Sequence, residues 1–177
     1  MGSPSPLPPV TLVLGGARSG KSRYSEGLFE DSGGVYLATA EARHADDRDG
    51  EMARRISEHQ NRRGPEWQTV EEPLDLVGEL TAHGIGPVLV DCLTLWLSNI
   101  MAAGRDVDGE LDALAGCLAG LAGPVVLVSN EVGQGIVPDN ALARSYMDNA
   151  GRMNQRIAAI ANRVVFVRAG LPQLLKD

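Results

Sequence analysis

The feature that most constrains the fold is an eight-residue segment, GGARSGKS, at positions 15–22. It fits the pattern G-x-x-x-x-G-K-S/T, in which glycines let the backbone turn tightly and point its N–H groups into one concavity. The apolar run Val10–Leu14 precedes this segment, and the helix-like stretch Lys21–Glu30 overlaps its end. A strand, an anion-binding turn and a helix start thus follow one another as phosphate binding requires, which argues against a chance match.

The residues of this loop have separate candidate roles. Lys21 is expected to reach the β- and γ-phosphates of a nucleotide and to act in catalysis, while the Ser22 hydroxyl holds Mg²⁺. The nucleotide-binding residues that the motif predicts are Gly15, Gly16, Ala17, Arg18, Ser19, Gly20, Lys21 and Ser22.

A second magnesium ligand is expected at the end of another apolar run. Asp91 follows Val88–Val90, and a carboxylate at the carboxyl end of a strand lies where open α/β sheets bind ligands. We therefore predict that Asp91 shares the metal with Ser22 and belongs to the nucleotide site. Asp91 is also placed to cap the helix that follows, and the two roles are compatible. Asn130 and Glu131 follow a further run, so they are candidates for lining the same cleft.

Five short apolar runs recur along the chain, and helix-like stretches separate most of them. The runs are continuous rather than alternating, which is typical of strands buried on both faces of a parallel sheet. They are Val10–Leu14, Val35–Ala38, Val88–Val90, Val125–Val128 and Val164–Val167, and the helical stretches are Lys21–Glu30, Gly50–Arg62, Pro73–His83, Leu93–Met101, Asp108–Leu121 and Leu142–Asn162. The alternation predicts one α/β doubly wound catalytic domain over residues 10–177, after a flexible Pro-rich arm at residues 1–9.

Composition excludes several function classes. The 23 acidic residues outnumber the 16 basic ones, giving a net charge of −7, whereas nucleic-acid coats and membrane-surface binders normally carry the opposite balance. Aromatic residues make up only 4% of the chain, too few for a base-stacking platform. No apolar stretch is long enough to span a bilayer and no signal peptide is expected. The two cysteines, Cys92 and Cys117, fit no zinc or redox motif, so we expect them reduced in the cytoplasm.

One histidine lies in a basic setting. Residues 51–63 have a helical pattern, and Arg55, His59 and either Arg62 or Arg63 share one face of it. Arginines would neutralise phosphate charge and lower the pKa of a histidine, which suits an imidazole that attacks phosphorus. From spacing alone, an ordinary solvated helix face is the stronger interpretation.

Several further blocks occur in a distinctive order along the chain. They are GGARSGKS (15–22), YLATA (36–40), EMARRISEHQNRR (51–63) with Trp67 downstream, VDCLTLWLSN (90–99), SNEVGQGIVP (129–138), DNAGRMNQRIA (148–158) and AGLPQLLK (169–176). With these blocks the sequence resembles the bifunctional adenosylcobinamide kinase / adenosylcobinamide-phosphate guanylyltransferase family of cobalamin biosynthesis. The resemblance implies an α/β P-loop NTPase (RecA-like) fold, with a mostly parallel central sheet flanked by helices, and a homotrimer.

The resemblance implies two reactions. A nucleoside triphosphate, either ATP or GTP, phosphorylates adenosylcobinamide, and GTP then gives GMP to that phosphate, yielding adenosylcobinamide-GDP and pyrophosphate. In this family the second reaction passes through a covalent GMP–histidine, and the histidine maps onto His59, so the resemblance reverses the preference for a solvated face. The loop at residues 41–50 is longer here than in family members.

The resemblance also implies further nucleotide contacts. The segments that correspond to nucleotide-contacting parts of the family are Ala38, Thr39 and Ala40, then Gln60, Asn61, Arg62 and Arg63, and the acid Glu71. For Glu71 there is a physical reason as well, because a carboxylate accepts from guanine N1–H and N2–H₂ together, which adenine cannot match. The alternative for Glu71 is an acid at the start of the next helix.

Two rival functions remain open at this point. One is a plain small-molecule kinase in which His59 is only a surface residue, and the other is a non-enzymatic nucleotide-gated interaction protein. The kinase step itself and the choice between ATP and GTP as its phosphate donor are not readable from the residues.

Overall fold

The computed structural model describes residues 7–29, 32–40 and 64–177 of the chain. Within these ranges there are seven strands and five helices. The strands are β1 (Val10–Gly15), β2 (Gly34–Ala38), β3 (Trp67–Glu71), β4 (Val88–Asp91), β5 (Val125–Asn130), β6 (Arg163–Arg168) and β7 (Leu171–Lys176). The helices are α1 (Lys21–Gly27), α2 (Leu76–His83), α3 (Leu93–Ala102), α4 (Val107–Gly120) and α5 (Ala141–Ile160). The helix predicted over Gly50–Arg62 lies outside the described residues.

The strands form one sheet in the order β3-β2-β4-β5-β1-β6-β7. All neighbours are parallel except β6 and β7, which pair antiparallel. Strand β5 lies between β1, which leads into the phosphate loop, and β4, which ends at Asp91. The predicted α/β P-loop NTPase (RecA-like) fold, with a mostly parallel sheet flanked by helices, is therefore confirmed.

All five predicted apolar runs are strands in the structure, and the sheet contains two further strands, β3 and β7. Strand β3 has no fully buried residue and β7 is exposed along its whole length. Both lie at the edges of the sheet, where only one neighbour is paired, so neither needs the continuous apolar run that marks a central strand. Neither strand is therefore marked by a continuous apolar run in the sequence.

Apolar side chains of successive strand residues alternate between two clusters, as the period of two requires. Leu12 and Leu14 of β1 belong to a large cluster with helices α2 to α5, whereas Val13 belongs to a smaller one with Phe29 and Tyr24 of α1. The sheet is thus covered on both faces, as in a doubly wound fold.

Helix bounds differ modestly from the predicted ones. Helix α1 ends at Gly27 rather than Glu30. Helix α2 begins at Leu76 instead of Pro73, because the Asp75 side chain accepts a hydrogen bond from Gly78 N–H and so caps the helix there.

The Pro-rich segment contacts the sheet at its end. The Pro9 carbonyl accepts from Val125 N–H at 2.8 Å, and Leu7 packs against the smaller apolar cluster. These contacts attach residues 7–9 to the sheet, while residues 1–6 lie outside the described ranges. Over the part of the chain that the structure describes, no helix combines the length and apolar character needed to cross a bilayer.

Candidate functional site

The phosphate loop connects β1 to α1, as predicted. Its backbone includes Arg18 and Gly20 at positive φ, 54° and 98°. Ser19 N–H donates to the Gly16 carbonyl at 3.3 Å, which closes a tight turn. Positive φ is common for glycine and uncommon for arginine, so the Arg18 backbone is held in a strained state of the kind that clusters at ligand sites.

The hydroxyl of Ser19 has less than 1 Å² of exposed surface and no hydrogen-bond partner among the described residues. A buried hydroxyl without a partner is unfavourable, and a phosphate oxygen in the loop would supply one. This unsatisfied group fits a loop that is completed by an anion.

Lys21 lies folded over the loop that precedes it. Its Nζ donates to the Gly16 carbonyl at 2.7 Å, and the residue is only 7% exposed. Burial lowers the pKa of Lys21 below its usual value, while the neighbouring Cys92 and Asp91 act in the opposite direction. The carboxylate at the end of β4 thus acts electrostatically on the lysine of the loop, although β5 lies between β4 and β1.

Asp91 ends β4 with a partly exposed carboxylate. Its Oδ2 accepts from the Tyr36 hydroxyl at 2.9 Å. Asp91 does not cap the next helix, because the N-cap position of α3 is Cys92 and no side chain caps it. A carboxylate oriented by a hydroxyl and left partly open is suited to a cation.

The donor set fits magnesium with incomplete protein ligation. Mg²⁺ is commonly held by one or two carboxylates together with substrate phosphates and water. No cluster of three or more potential ligands among His, Cys, Asp and Glu occurs in residues 7–29, 32–40 and 64–177. Asp91 and the partly exposed Ser22 are the predicted residues that could hold such an ion together with nucleotide phosphates.

Thr39 supports the backbone that follows Asp91. It is fully buried, and its Oγ1 accepts from Cys92 N–H at 2.9 Å and donates to the Cys92 carbonyl at 2.8 Å. Asn99 of α3 in turn donates to the Thr39 carbonyl at 2.8 Å. The side chain is thus engaged inside the protein. Of its predicted neighbours, Ala38 ends β2 and Ala40 is partly exposed beyond it.

Cys92 is a partly buried residue beside this backbone. Its sulfur lies 3.2 Å from the Thr94 hydroxyl. Burial, followed by the negative charge of Asp91, raises the pKa of Cys92 to about 11. Both cysteines are free, as expected.

Glu71 ends β3 with an exposed side chain. It lies in register with Ala38, which in turn is in register with Asp91, so the three residues form a row across the sheet. The alternative role, an acid at the start of the next helix, is filled by Glu72 instead. Its Oε1 accepts from the N–H groups of Leu74 and Asp75, just before α2. Strand β3 is four places from β1 in the sheet order, so the two strands are about 19 Å apart. A guanine bound at Glu71 would therefore lie about that far from the phosphate loop, along the same edge of the sheet.

Asn130 lies between the two halves of the site. It is in register with Gly15, at the end of the strand that separates β1 from β4. Its Nδ2 donates to the Thr94 hydroxyl at 2.7 Å. Glu131 N–H donates to the Gly15 carbonyl at 3.0 Å, which ties this strand end to the loop.

Sequence reasoning did not single out Tyr36, Thr94 or Asn99, which orient these groups. All three lie within the distinctive blocks quoted above, but only the fold reveals which atoms they contact. The predicted residues His59, Gln60, Asn61, Arg62 and Arg63 lie outside the described residues.

Comparison with solved structures finds neighbours that share the fold. The flagellar accessory protein FlaH from Methanocaldococcus jannaschii superposes with a TM-score of 0.51 at 11% identity, over 97% of this chain and 80% of the other. At this identity the likeness concerns the fold alone.

Comparison with curated proteins and family models is more specific. The chain is 50% identical over 171 residues to the bifunctional adenosylcobalamin biosynthesis protein CobP of Pseudomonas aeruginosa, covering 93% of this chain and 96% of the relative. It is 40% identical to the bifunctional adenosylcobalamin biosynthesis protein CobU of Escherichia coli, covering 94% and 99%. The family model described as cobinamide kinase / cobinamide phosphate guanyltransferase matches residues 11–175. The chain therefore belongs to the cobinamide kinase / cobinamide phosphate guanyltransferase family.

Proposed function

We propose that this transferase phosphorylates adenosylcobinamide and then transfers GMP from GTP to adenosylcobinamide phosphate, giving adenosylcobinamide-GDP for the nucleotide-loop assembly of cobalamin. The observation that carries the proposal is that the phosphate loop follows β1 and Asp91 ends β4, two parallel strands that both pair with β5, in a chain of this family. Residues 10–177 form the catalytic domain in this proposal, and the protein acts in the cytoplasm as a homotrimer.

For the kinase step, the phosphate loop holds the triphosphate of ATP or GTP. Lys21, Arg18 and the loop N–H groups stabilise the charge that grows on the leaving group. Ser22 and Asp91 would hold a magnesium ion, which when bound would neutralise phosphate charge. In this proposal the amide oxygen of Asn130, whose Nδ2 donates to the Thr94 hydroxyl, accepts from the attacking hydroxyl of adenosylcobinamide. Loose phosphoryl-transfer transition states need little help from a general base.

For the guanylyl transfer, a neutral His59 nitrogen attacks the α-phosphorus of GTP. A nitrogen–phosphorus bond forms, the bond to the bridging oxygen breaks, and pyrophosphate leaves. A phosphate oxygen of adenosylcobinamide phosphate then attacks the same phosphorus and releases the histidine. In this proposal Gln60, Asn61, Arg62 and Arg63 contact the nucleotide, and Glu71 accepts from the guanine N–H groups.

Thr39 contributes to the site through its neighbour in this proposal. Its hydroxyl fixes both backbone polar groups of Cys92, so it holds the chain immediately after Asp91. Ala38 and Ala40 flank it at the edge where the nucleotide would lie.

Covalent labelling tests the histidine. Incubation with GTP labelled at the α-phosphate is expected to leave acid-labile, alkali-stable label on the wild-type protein and on a His83→Ala variant, but not on His59→Ala. His83 is a matched control because it ends α2 and lies 3.3 Å from Glu79 of the same helix, away from the phosphate loop. Equal labelling of all three proteins, or none on the wild type, would refute the GMP–histidine step.

Product analysis tests the reactions themselves. Adenosylcobinamide incubated with GTP, Mg²⁺ and the protein is expected to give both the phosphorylated and the GDP-linked product by mass spectrometry. The phosphorylated product alone would indicate a plain small-molecule kinase. Neither product would support a non-enzymatic nucleotide-gated protein.

A further inference from the structure

The turn between β6 and β7 packs directly on the phosphate loop. Gly170 N–H donates to the Ser19 carbonyl at 2.8 Å. Ala169 and Gly170 both have positive φ, 52° and 78°, as the two central residues of a type I′ hairpin turn do. A segment some 150 residues away in sequence thus makes a backbone hydrogen bond inside the nucleotide-binding motif.

Both glycines that define the motif lie against this hairpin. A Cβ at Gly20 would stand 3.2 Å from the Gly170 Cα, and a Cβ at Gly15 would meet the Val167 carbonyl oxygen at well under 3.0 Å. These positions therefore need glycine because the hairpin approaches them, in addition to any approach by phosphate.

The hydrogen bond to Ser19 also fixes a direction. The Ser19 carbonyl and the Gly20 N–H belong to one peptide unit, which is planar and trans, so the two groups point in opposite directions. When Gly170 holds the carbonyl oxygen on the hairpin side, the Gly20 N–H is aimed to the other side. A convergent set of N–H groups is what a phosphate loop requires.

We propose that Gly170 is a positioning residue for phosphate binding, which holds the Ser19–Gly20 peptide in the orientation that directs its N–H toward the nucleotide. The inference rests on the proposed function only in taking the loop as the site of nucleotide phosphates. Gly170 therefore affects the binding of the β- and γ-phosphates by the loop, and it does not affect the binding of the base or the ribose.

The test compares Gly170→Val with Ala169→Asn, measured by titration with GTP and with GMP. A β-branched side chain is strongly disfavoured at positive φ, so Gly170→Val displaces the turn. It is expected to weaken GTP binding about tenfold or more and GMP binding much less, so that the preference for GTP over GMP falls. Ala169→Asn creates the Asn-Gly pair that type I′ turns favour, and it should bind both nucleotides like the wild type.

Each outcome is decisive. Unchanged GTP affinity in Gly170→Val, or an equal loss for GTP and GMP, would overturn the proposal, because a merely structural role leaves the preference intact. If Gly170→Val does not fold, Gly170→Ala takes its place under the same criterion, since its Cβ meets no atom within 4 Å and it perturbs only the turn backbone. Failure of the wild type to bind GTP would instead refute the proposed function, and this inference with it.

Discussion

Thr39→Val tests whether one hydroxyl supports the backbone beside the proposed metal ligand. The change keeps the shape of the side chain and removes Oγ1. The Cys92 N–H then loses its 2.9 Å partner, whereas the Cys92 carbonyl keeps the N–H groups of Leu95 and Trp96 at the start of α3. The substitution therefore leaves one buried donor without a partner and removes one further hydrogen bond.

The magnitude follows from these two losses. A buried N–H without a partner costs about 1–3 kcal/mol, and the lost hydroxyl donor costs about 1 kcal/mol. We expect the free energy of unfolding to fall by about 2–4 kcal/mol, which for a domain of this size lowers the Tm by on the order of 10 °C. Thr39→Ser keeps the hydroxyl and loses one buried methyl group, so it should cost only about 1 kcal/mol.

The assay is urea unfolding of the wild type and both variants, with GTP binding measured at several Mg²⁺ concentrations. Because Cys92 follows Asp91, Thr39→Val should also raise the Mg²⁺ concentration needed for GTP binding, and Thr39→Ser should not. If Thr39→Val lowers the free energy of unfolding no more than Thr39→Ser does, the hydroxyl does not hold this backbone and the reasoning is wrong.

Three other predictions concern groups around the same strand ends. In a Cys117→Ser background, iodoacetamide should modify Cys92 at pH 8 about a hundredfold more slowly than it modifies an ordinary thiol. The reason is that a pKa of about 11 in place of 9.0 leaves roughly a thousandth of the Cys92 thiol ionised at that pH. The free energy of unfolding should fall from about pH 9 to 11, because the unfolded thiol releases its proton first; a modification rate that levels off near pH 9 would contradict both. Asn130→Leu should slow the kinase step about tenfold or more while sparing guanylyl transfer to phosphorylated substrate, and equal losses in both would exclude the orienting role. Asp91→Asn should raise the Mg²⁺ concentration for half-maximal activity about tenfold or more, and no change would exclude Asp91 as a ligand.

The central sheet was predictable because burial on both faces leaves a strong mark on sequence. Strands β1, β4 and β5 are almost wholly buried, so most of their residues are apolar. The edge strands escaped for the opposite reason, since Pro172 and the exposed residues of β7 are compatible with a strand at an edge but do not indicate one.

The site was predictable where a motif fixes local geometry and unpredictable where distant segments meet. Lys21 and Asp91 follow from a loop pattern and a strand end. That Tyr36 donates to Asp91, or that Gly170 holds Ser19, depends on strand order and register, which no local pattern contains. The buried hydroxyl of Thr39 is a similar case, because the residue type alone does not indicate whether the hydroxyl faces a ligand or a neighbouring backbone.

The position of β1 in the sheet has a consequence for the order of folding during synthesis. Strand β1 is synthesised before both of its partners, because it pairs only with β5 and β6. The Val10 N–H donates to the Asn162 side chain, 152 residues later. Such non-local pairing slows folding, because a long segment must be ordered before the contact forms. During synthesis, β1 therefore cannot pair within the sheet until β5 and β6 have left the ribosome. The phosphate loop attached to it gains its final shape only when β6 and the turn after it have emerged.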